Sequence, residues 1–410
     1  MSDAMASVIS EEDFRTEAIS FLEQSCEPRV EVRSGWGEGS DEVSVLPERE
    51  PEEERADLVQ SMKWAQTRYD AGFGWITGPT RYGGRALPKE YQRIYDSIET
   101  KFETPNQAVY GIGLGMVAPT ILAHANDQVK DLYLKKMYRG DIVGCQLFSE
   151  PAAGSDLASI QARAVKDGDE WIVTGQKVWT SGAHLSDIGE IVCRTDPEAP
   201  KHKGITAFVV DMHAPGVETR PLRQMTGGAS FNEVFFTEVR IPDSHRLGDV
   251  NGGWTVALTT LMNERAAIGG GLVSSGAGSE RLIELMRHEG KNTDPLIRQQ
   301  LANIFISGRV ANYTNLRAMA KIAAGGLPGP EMSIAKLSLT ANMRRTSDFL
   351  SSVLGPKLVA DTGEWGTYAW SRYVLGVSGM RIAGGTDEVL RNIVAERVLG
   401  LPKEPSGASK

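Results

Sequence analysis

The stretch Phe148-Ser149-Glu150-Pro151-Ala152-Ala153-Gly154-Ser155-Asp156 decides how this chain is read. Ser149 and Ser155 supply hydroxyls, Gly154 lets the backbone approach a bound group closely, Pro151 fixes a turn, and Asp156 suits the cap of a following segment. A loop of free N–H groups and hydroxyls fits a pyrophosphate or a heteroaromatic edge. Taken alone it reads first as an ordinary capped turn. A second stretch, Gly175-Gln176-Lys177-Val178-Trp179-Thr180-Ser181-Gly182, sets an indole beside two hydroxyls near a strand end. Such a Trp stacks on or flanks a planar ring while the hydroxyls bond its polar edge. The plain alternative is a core Trp on a β-strand.

Outward from these stretches the periodicity changes twice. From about Glu11 to Gly140 the pattern is helical, with apolar residues at three- and four-residue intervals in Pro88–Lys101 and Asn126–Tyr138. From about Cys145 to Pro242 it is strand-like. Glu170–Gly175 follows an Asp167-Gly168-Asp169 turn, Ile205–Val210 is apolar, and Asn232–Ile241 stops at Pro242. From Trp254 helices return, with Met332–Leu354 and Thr386–Leu399 as the clearest. Gly269–Gly271 and Gly325–Pro330 are breaks. The expected fold is multi-domain α+β: an N-terminal helical domain (1–142), a small β-barrel middle domain (143–246), a C-terminal four-helix bundle (247–403) and a disordered tail (404–410).

Composition narrows the function class. A chain of 410 residues with a formal net charge of −9 is long for one core and too acidic for a general nucleic-acid binder. The start at Met1-Ser2-Asp3 lacks a basic, apolar leader, and no apolar run approaches the roughly 20 residues of a membrane span. Cys26, Cys145 and Cys193 are odd in number and widely spaced, which suits free thiols in a cytoplasmic protein. The six His residues form neither a triad nor a metal pattern, so no metal is expected.

The two opening stretches, in this order and spacing, resemble the flavin signature of the acyl-CoA dehydrogenase family. The likeness continues through Gly204–Phe208, Asn232–Phe236, Val239–Pro242, Gly252-Gly253-Trp254 and Gly384-Gly385-Thr386-Asp387-Glu388-Val389-Leu390-Arg391. The resemblance implies FAD as cofactor, with contacts from Phe148, Ser149, Gly154 and Ser155, and Ser155 also near the acyl thioester. It sets Trp179 against the ring, and Thr180 and Ser181 on its N5 and O4 side. Thr386 and Glu388, the latter replacing the more usual Gln, fall at the adenosine end.

The proton chemistry needs a carboxylate in a dry pocket, with donors for the enolate oxygen. Much of the family carries that base as a Glu just before the Gly-Thr of the late motif; here the position is Gly384, which has no side chain. A minority places the base on an earlier helix before an Arg, which points to Glu264, followed by Arg265. If Trp254–Ile268 is helical, then Trp254, Ala257, Leu258, Leu261 and Ile268 form one stripe, and Glu264 falls roughly 60° from its centre. The plain alternative is a structural salt bridge. Arg265 then holds the carboxylate or the active-site fold on the substrate side, with a plain structural ion pair as the alternative, and Gly384 leaves room for a bulky, branched or ring-bearing acyl group.

The resemblance therefore implies α,β-dehydrogenation of an acyl-CoA to the 2,3-enoyl-CoA within fatty-acid and lipid metabolism, with the β-hydride delivered to flavin N5. Electrons pass on to an electron-transfer flavoprotein. The assembly it implies is a homodimer or tetramer, or a mixed tetramer with a homologous chain. Two family motifs are absent: Arg287-His288-Glu289-Gly290-Lys291 stands where relatives have Arg-x-x-Phe-Gly, and Ser352-Val353-Leu354-Gly355-Pro356 where they have Gln-x-x-Gly-Gly. These departures keep two rival readings open, a non-catalytic partner subunit and a flavin oxidase or monooxygenase on the same fold.

Overall fold

The computed structural model describes residues 9–30, 35–45, 49–269, 278–323 and 329–403. The expected tail at 404–410, Gly270 and Gly271 of the first glycine break, and residues 325–328 of the second lie outside the described residues, as do the side chains of Arg265 and Ile268. The chain forms two compact units. The first contains Arg49–Leu222 and Phe231–Thr260 together with the N-terminal helix; the second contains Arg223–Ser230, the chain from Leu261 onward and the segment around Val43.

The first unit opens with helices α1 (Glu11–Ser25), α2 (Pro51–Asp70), α3 (Lys89–Glu99), α4 (Ala118–His124) and α5 (Asp127–Arg139). Helix α1 starts where Ser10 accepts the Asp13 N–H at 3.1 Å, and three acids in its first turn oppose the helix dipole. Its buried residues, Phe14, Ala18 and Leu22, recur every four positions. They pack with Trp64, Phe73, Tyr95 and Ile98 of α2, the following turn and α3. Asn126 caps α5 through the Val129 N–H at 3.0 Å, and Gly140, at φ +82°, ends it. A single π-helical turn, Gly113–Val117, runs directly into α4.

The strands follow in order: β1 (Gly144–Leu147), β2 (Arg163–Asp167), β3 (Glu170–Ser181), β4 (Ile188–Arg194), β5 (Ile205–Asp211), β6 (Val217–Leu222), β7 (Phe231–Pro242) and β8 (Arg246–Leu247). They make one eight-stranded sheet in the order β6-β7-β3-β2-β4-β5-β8, with β1 added parallel to β4. This is the middle β domain expected from the sequence, and its end strands β6 and β8 do not pair with each other. One face buries Trp171, Val173, Phe208, Val210, Phe236 and Ile241. Strand β3 runs six residues beyond the expected Gly175. It continues past a break in register with β7 between Lys177 and Thr180. That irregularity re-aims the strand end toward solvent.

Helix α6 (Gly253–Gly269) leaves the sheet at Gly253, where a Cβ would lie 2.7 Å from Thr206 backbone. Only glycine permits that close start. The second unit is helical: α7 (Ser279–His288), α8 (Pro295–Ala323), α9 (Met332–Leu354), α10 (Trp370–Met380) and α11 (Asp387–Ile393). Its core gathers Leu282, Leu285, Met343, Leu350, Trp370 and Tyr373. Helix α9 has the bounds expected from its periodicity. No described helix is long and apolar enough to cross a membrane.

Candidate functional site

The two stretches singled out in the sequence are joined by a buried ion pair. Lys177, on β3, is fully buried; its Nζ donates to Glu150 Oε1 at 2.8 Å and to the Phe148 carbonyl at 3.1 Å. Glu150 also accepts the N–H groups of Gln161 at 2.6 Å and Ala162 at 3.0 Å. The Val178 N–H donates to the Ser149 carbonyl at 2.9 Å. Ser149 and Trp179 are thus held beside one another by backbone and by charge. Stranding one member of such a pair costs about 3–5 kcal/mol, which makes the cradle rigid. Neither Glu150 nor Lys177 stood out in the sequence, because they are 27 residues apart and each sits among residues that drew attention for other reasons.

Pro151 and Ala152 fill a tight turn in which Glu150 and Ala153 exchange backbone hydrogen bonds at 3.0 Å each way. Asp156 caps nothing with its side chain. It accepts Lys201 Nζ at 2.8 Å and the Ser159 hydroxyl instead. Gly154 and Ser155 face solvent, and a Cβ on Gly154 would meet nothing within 4 Å. Trp179 excludes the plain alternative of a core indole: it is 61% exposed, at φ +60°, with Phe231 edge-on at 6.1 Å.

Behind it Thr180 is buried, and its Oγ1 has no hydrogen-bond partner. Asn232, opposite Thr180 on β7, donates from Nδ2 to the Thr180 carbonyl at 3.1 Å, while its Oδ1 is likewise unpartnered. His184 stands 3.1 Å from that Nδ2 through Nδ1, and 2.8 Å from Glu54 through Nε2. Buried polar atoms left without partners are uncommon and invite a ligand. An exposed indole, two orphaned polar atoms and an open glycine edge together fit a planar heteroaromatic group with a polar rim. FAD is such a group.

The late motif in the second unit has its own scaffold. Gly384 and Gly385 lie at φ +66° and +87°. Lys336, on α9, is buried and donates to the Gly385 carbonyl at 2.9 Å, and its Nζ is 3.4 Å from Asp387 Oδ1. Asp387 also accepts the Thr340 hydroxyl at 2.8 Å and Arg381 Nε at 2.9 Å. Burial alone would raise its pKa, but Arg381, Thr340 and Lys336 hold it below the usual carboxylate range. The Thr386 hydroxyl caps α11 by accepting the Val389 N–H at 3.2 Å, and Glu388 is exposed, paired with Arg391 at 3.4 Å. The neighbour that sequence reading passed over, Asp387, is the one that holds this loop.

Helix α6 is rotated relative to the expected stripe. Gly253, Val256, Ala257 and Thr260 are buried, whereas Leu258 is 39% exposed and Trp254 and Leu261 are half-buried. At 100° per residue, Glu264 lies about 30° from the centre of this buried line, closer than expected. The difference comes from Trp254, Leu258 and Leu261, which stay partly exposed, and from Val256, which is buried; Thr260 joins the buried line, its Oγ1 bonding Glu190 Oε1 at 2.6 Å. Glu264 itself is half-buried and engaged.

Where the family's Arg-x-x-Phe-Gly is missing, a charge network stands instead. His288 Nε2 is 2.7 Å from Glu364 Oε1, and Lys357 Nζ is 2.7 Å from Glu289 and 3.0 Å from Glu364. Trp36 stacks on His288 at 4.7 Å. His288, Glu289 and Glu364 have metal-ligating chemistry, and the Lys357 ammonium already bridges both carboxylates.

Comparison with known proteins shows the family of the chain. The family pattern "Acyl-CoA dehydrogenase, middle domain" matches residues 145–239, and "Acyl-CoA dehydrogenase, C-terminal domain" matches residues 251–399. Acyl-CoA dehydrogenase FadE34 of Mycobacterium tuberculosis is 37% identical over 366 residues, 88% of this chain; the chain spans only 47% of that relative. Acyl-CoA dehydrogenase IpdE1 of the same organism is 35% identical over 87% of this chain and 92% of its own length. Among solved structures, the steroid ACAD Tcur3481-Tcur3483 aligns at a TM-score of 0.72 and 27% identity over 96% of this chain and 98% of its own. The ChsE4-ChsE5 complex from M. tuberculosis aligns at 0.70 and 25%, over 98% and 100%.

Proposed function

This chain belongs to the acyl-CoA dehydrogenase family of flavin-dependent oxidoreductases, and from that premise we propose that it binds FAD and desaturates an acyl-CoA carrying a bulky, ring-bearing acyl group. The observation that carries the cofactor is the cradle in which Ser149 and Trp179 are held beside the buried Lys177–Glu150 pair, with Thr180 Oγ1 and Asn232 Oδ1 unpartnered next to it. Phe148, Ser149, Gly154 and Ser155 would hold one edge of the flavin, and Trp179, Thr180 and Ser181 the other. Thr386 and Glu388 belong to its adenosine end. When bound, FAD would supply the acceptor for the substrate β-hydride.

Glu264 removes the α-proton. Its place on the buried line of α6 supports this role, since a carboxylate there needs a partner or a task. Arg265 follows as the residue that steadies it. Holding the two C–H bonds in fixed orientation supplies much of the rate. Ser155 contacts the thioester side. Gly384, at φ +66° and without a side chain, leaves room beside the late motif, and relatives that include steroid ACADs support a ring-bearing acyl group over a straight chain.

The natural electron acceptor in this reading is an electron-transfer flavoprotein. The assembly is oligomeric, with a homologous chain as the favoured partner, because two solved relatives are two-chain complexes. Helix α8 supports association: Ile306, Val310, Tyr313 and Leu316 are each more than half exposed on it. The three unpaired thiols support a cytoplasmic setting. The division 1–142, 143–246 and 247–403 belongs to the same reading, supported by the change from helix to strand after Arg139 and back at Gly253.

The test is anaerobic mixing of the FAD-loaded protein with straight-chain, branched and steroid-side-chain CoA esters. Bleaching of the flavin absorbance by ring-bearing esters is expected. Bleaching by straight-chain esters alone removes the substrate assignment, and no bleaching by any ester, or no bound flavin, favours the partner-subunit reading.

A further inference from the structure

Glu190 is a fully buried carboxyl in the middle of β4 that the reaction above does not use. Its Oε1 lies 2.6 Å from Thr260 Oγ1 on α6, and Thr260 Oγ1 lies 2.9 Å from Thr120 Oγ1 on α4. Thr120 in turn donates to the Met116 carbonyl, within the π-helical turn, at 2.8 Å. The other carboxyl oxygen, Oε2, has no partner. Its register neighbours, Gln146 on β1 and Val209 on β5, carry no charge.

The proton count of this chain depends on Glu190. With the acid protonated on Oε1, it donates to Thr260, Thr260 to Thr120, and Thr120 to Met116, so each hydroxyl gives its proton onward and receives one. With the acid ionised, Thr260 donates back to Oε1, so Thr120 keeps the link to Thr260 only by leaving the Met116 carbonyl; one bond of the chain is lost either way, and Oε2 becomes a buried charge with no donor. We propose that Glu190 is a positioning residue that fixes helix α6 at Thr260, one helical turn ahead of Glu264, through a hydrogen-bond chain that only its protonated form completes.

Burial supports the protonated form, pushing the Glu190 pKa up to about 8 against a smaller lowering by Thr260. The ionisable groups on the elements packed against it are Cys145 on β1, a thiol that burial pushes up to about 12, His124, one turn further along α4, Asp211 at the end of β5, and Glu264 on α6. His124 is bonded to Thr259 at 2.8 Å and pushed by burial below the usual histidine range, so it offers Glu190 no counter-charge. The inference rests on Glu264 as the base.

The test compares wild type, Glu190→Gln, Glu190→Leu, Thr260→Val and Glu264→Gln, all FAD-loaded, with kcat and KM measured from pH 6 to 10 on the CoA ester that best bleaches the wild type, those pH limits being set about two units either side of the Glu190 pKa. Wild-type kcat should fall above about pH 8 as the chain breaks. Glu190→Gln, which keeps a neutral donor that does not titrate, should hold kcat within roughly twofold below about pH 8 and abolish that fall. Below about pH 8, Glu190→Leu and Thr260→Val should lose kcat roughly tenfold or more against wild type, with KM little changed. A merely structural role would lower melting temperature and flavin content while leaving the pH profile in place. A Glu190→Gln profile identical to wild type, or full kcat in a folded Glu190→Leu or Thr260→Val, overturns the inference. Should Glu190→Leu fail to fold, Thr260→Val and Glu190→Gln decide it. A wild type that no ester bleaches, or an unimpaired Glu264→Gln, sinks the underlying reading instead.

Discussion

Lys177 Nζ stands 2.8 Å from Glu150 Oε1, with the lysine side chain wholly buried and the glutamate 7% exposed, and this one pair locks the two halves of the candidate flavin cradle together. Lys177→Met leaves Glu150 charged and buried beside two backbone donors. The variant should lose about 3–5 kcal/mol in urea unfolding and retain little flavin. The double variant Lys177→Met/Glu150→Gln should recover part of that loss. If the single and double variants are equally destabilised, the pair does not act as a unit.

The open edge at Gly154 leads to an opposite pattern. A Cβ there meets nothing within 4 Å, and its backbone is outside the left-handed region. Gly154→Val should therefore change the stability of the flavin-free protein by no more than about 0.5 kcal/mol. FAD affinity should fall roughly tenfold or more by equilibrium titration. Unaltered affinity would place the flavin elsewhere.

The sequence made the element order legible and left the struts hidden. The α9 periodicity and the strands around Ile205 and Asn232 stand within a residue of their expected bounds, because side chains facing a core repeat locally, whereas the strand from Glu170 runs six residues past its expected end. Trp179, Thr180 and Ser181 were legible as a cluster, but the turn of Trp179 toward solvent depends on the break in register against β7, a partner strand some fifty residues later. The pairs Glu150–Lys177 and Lys336–Asp387 join residues 27 and 51 apart, and no local pattern announces them. The α6 stripe was misplaced for the same reason: that Leu258 stays exposed and Val256 is buried depends on the elements packed around the helix, which no local pattern shows.

Asp387 sets a low-pH dependence. Its pKa is held below the ordinary 3.8, so the stability it contributes is present above that value and is lost as pH falls through the folded-state pKa. Asp387→Asn should cost about 2–4 kcal/mol at neutral pH and progressively less toward acid in thermal melts. A cost that does not shrink below the ordinary carboxylate pKa would contradict the assignment of Asp387 as the charged anchor of the Gly384-Gly385 loop.

Glu190 sets the opposite dependence. Its pKa is raised from 4.5 to about 8, so its contribution is greatest below 4.5 and is lost as pH rises toward 8. Each unit in that window removes about 1.4 kcal/mol from the wild type. The stability of Glu190→Gln relative to wild type should therefore improve steadily between those values. Parallel pH curves for the two proteins would show that Glu190 is already ionised in the fold.

The central claim is that Glu264 is the base, since Gly384 cannot be. The most direct measurement is anaerobic stopped-flow reduction of the bound flavin by the best CoA ester, wild type against Glu264→Gln. The account predicts that Glu264→Gln binds flavin as the wild type does and is reduced roughly a hundredfold or more slowly. Reduction at the wild-type rate in a flavin-loaded Glu264→Gln would contradict it.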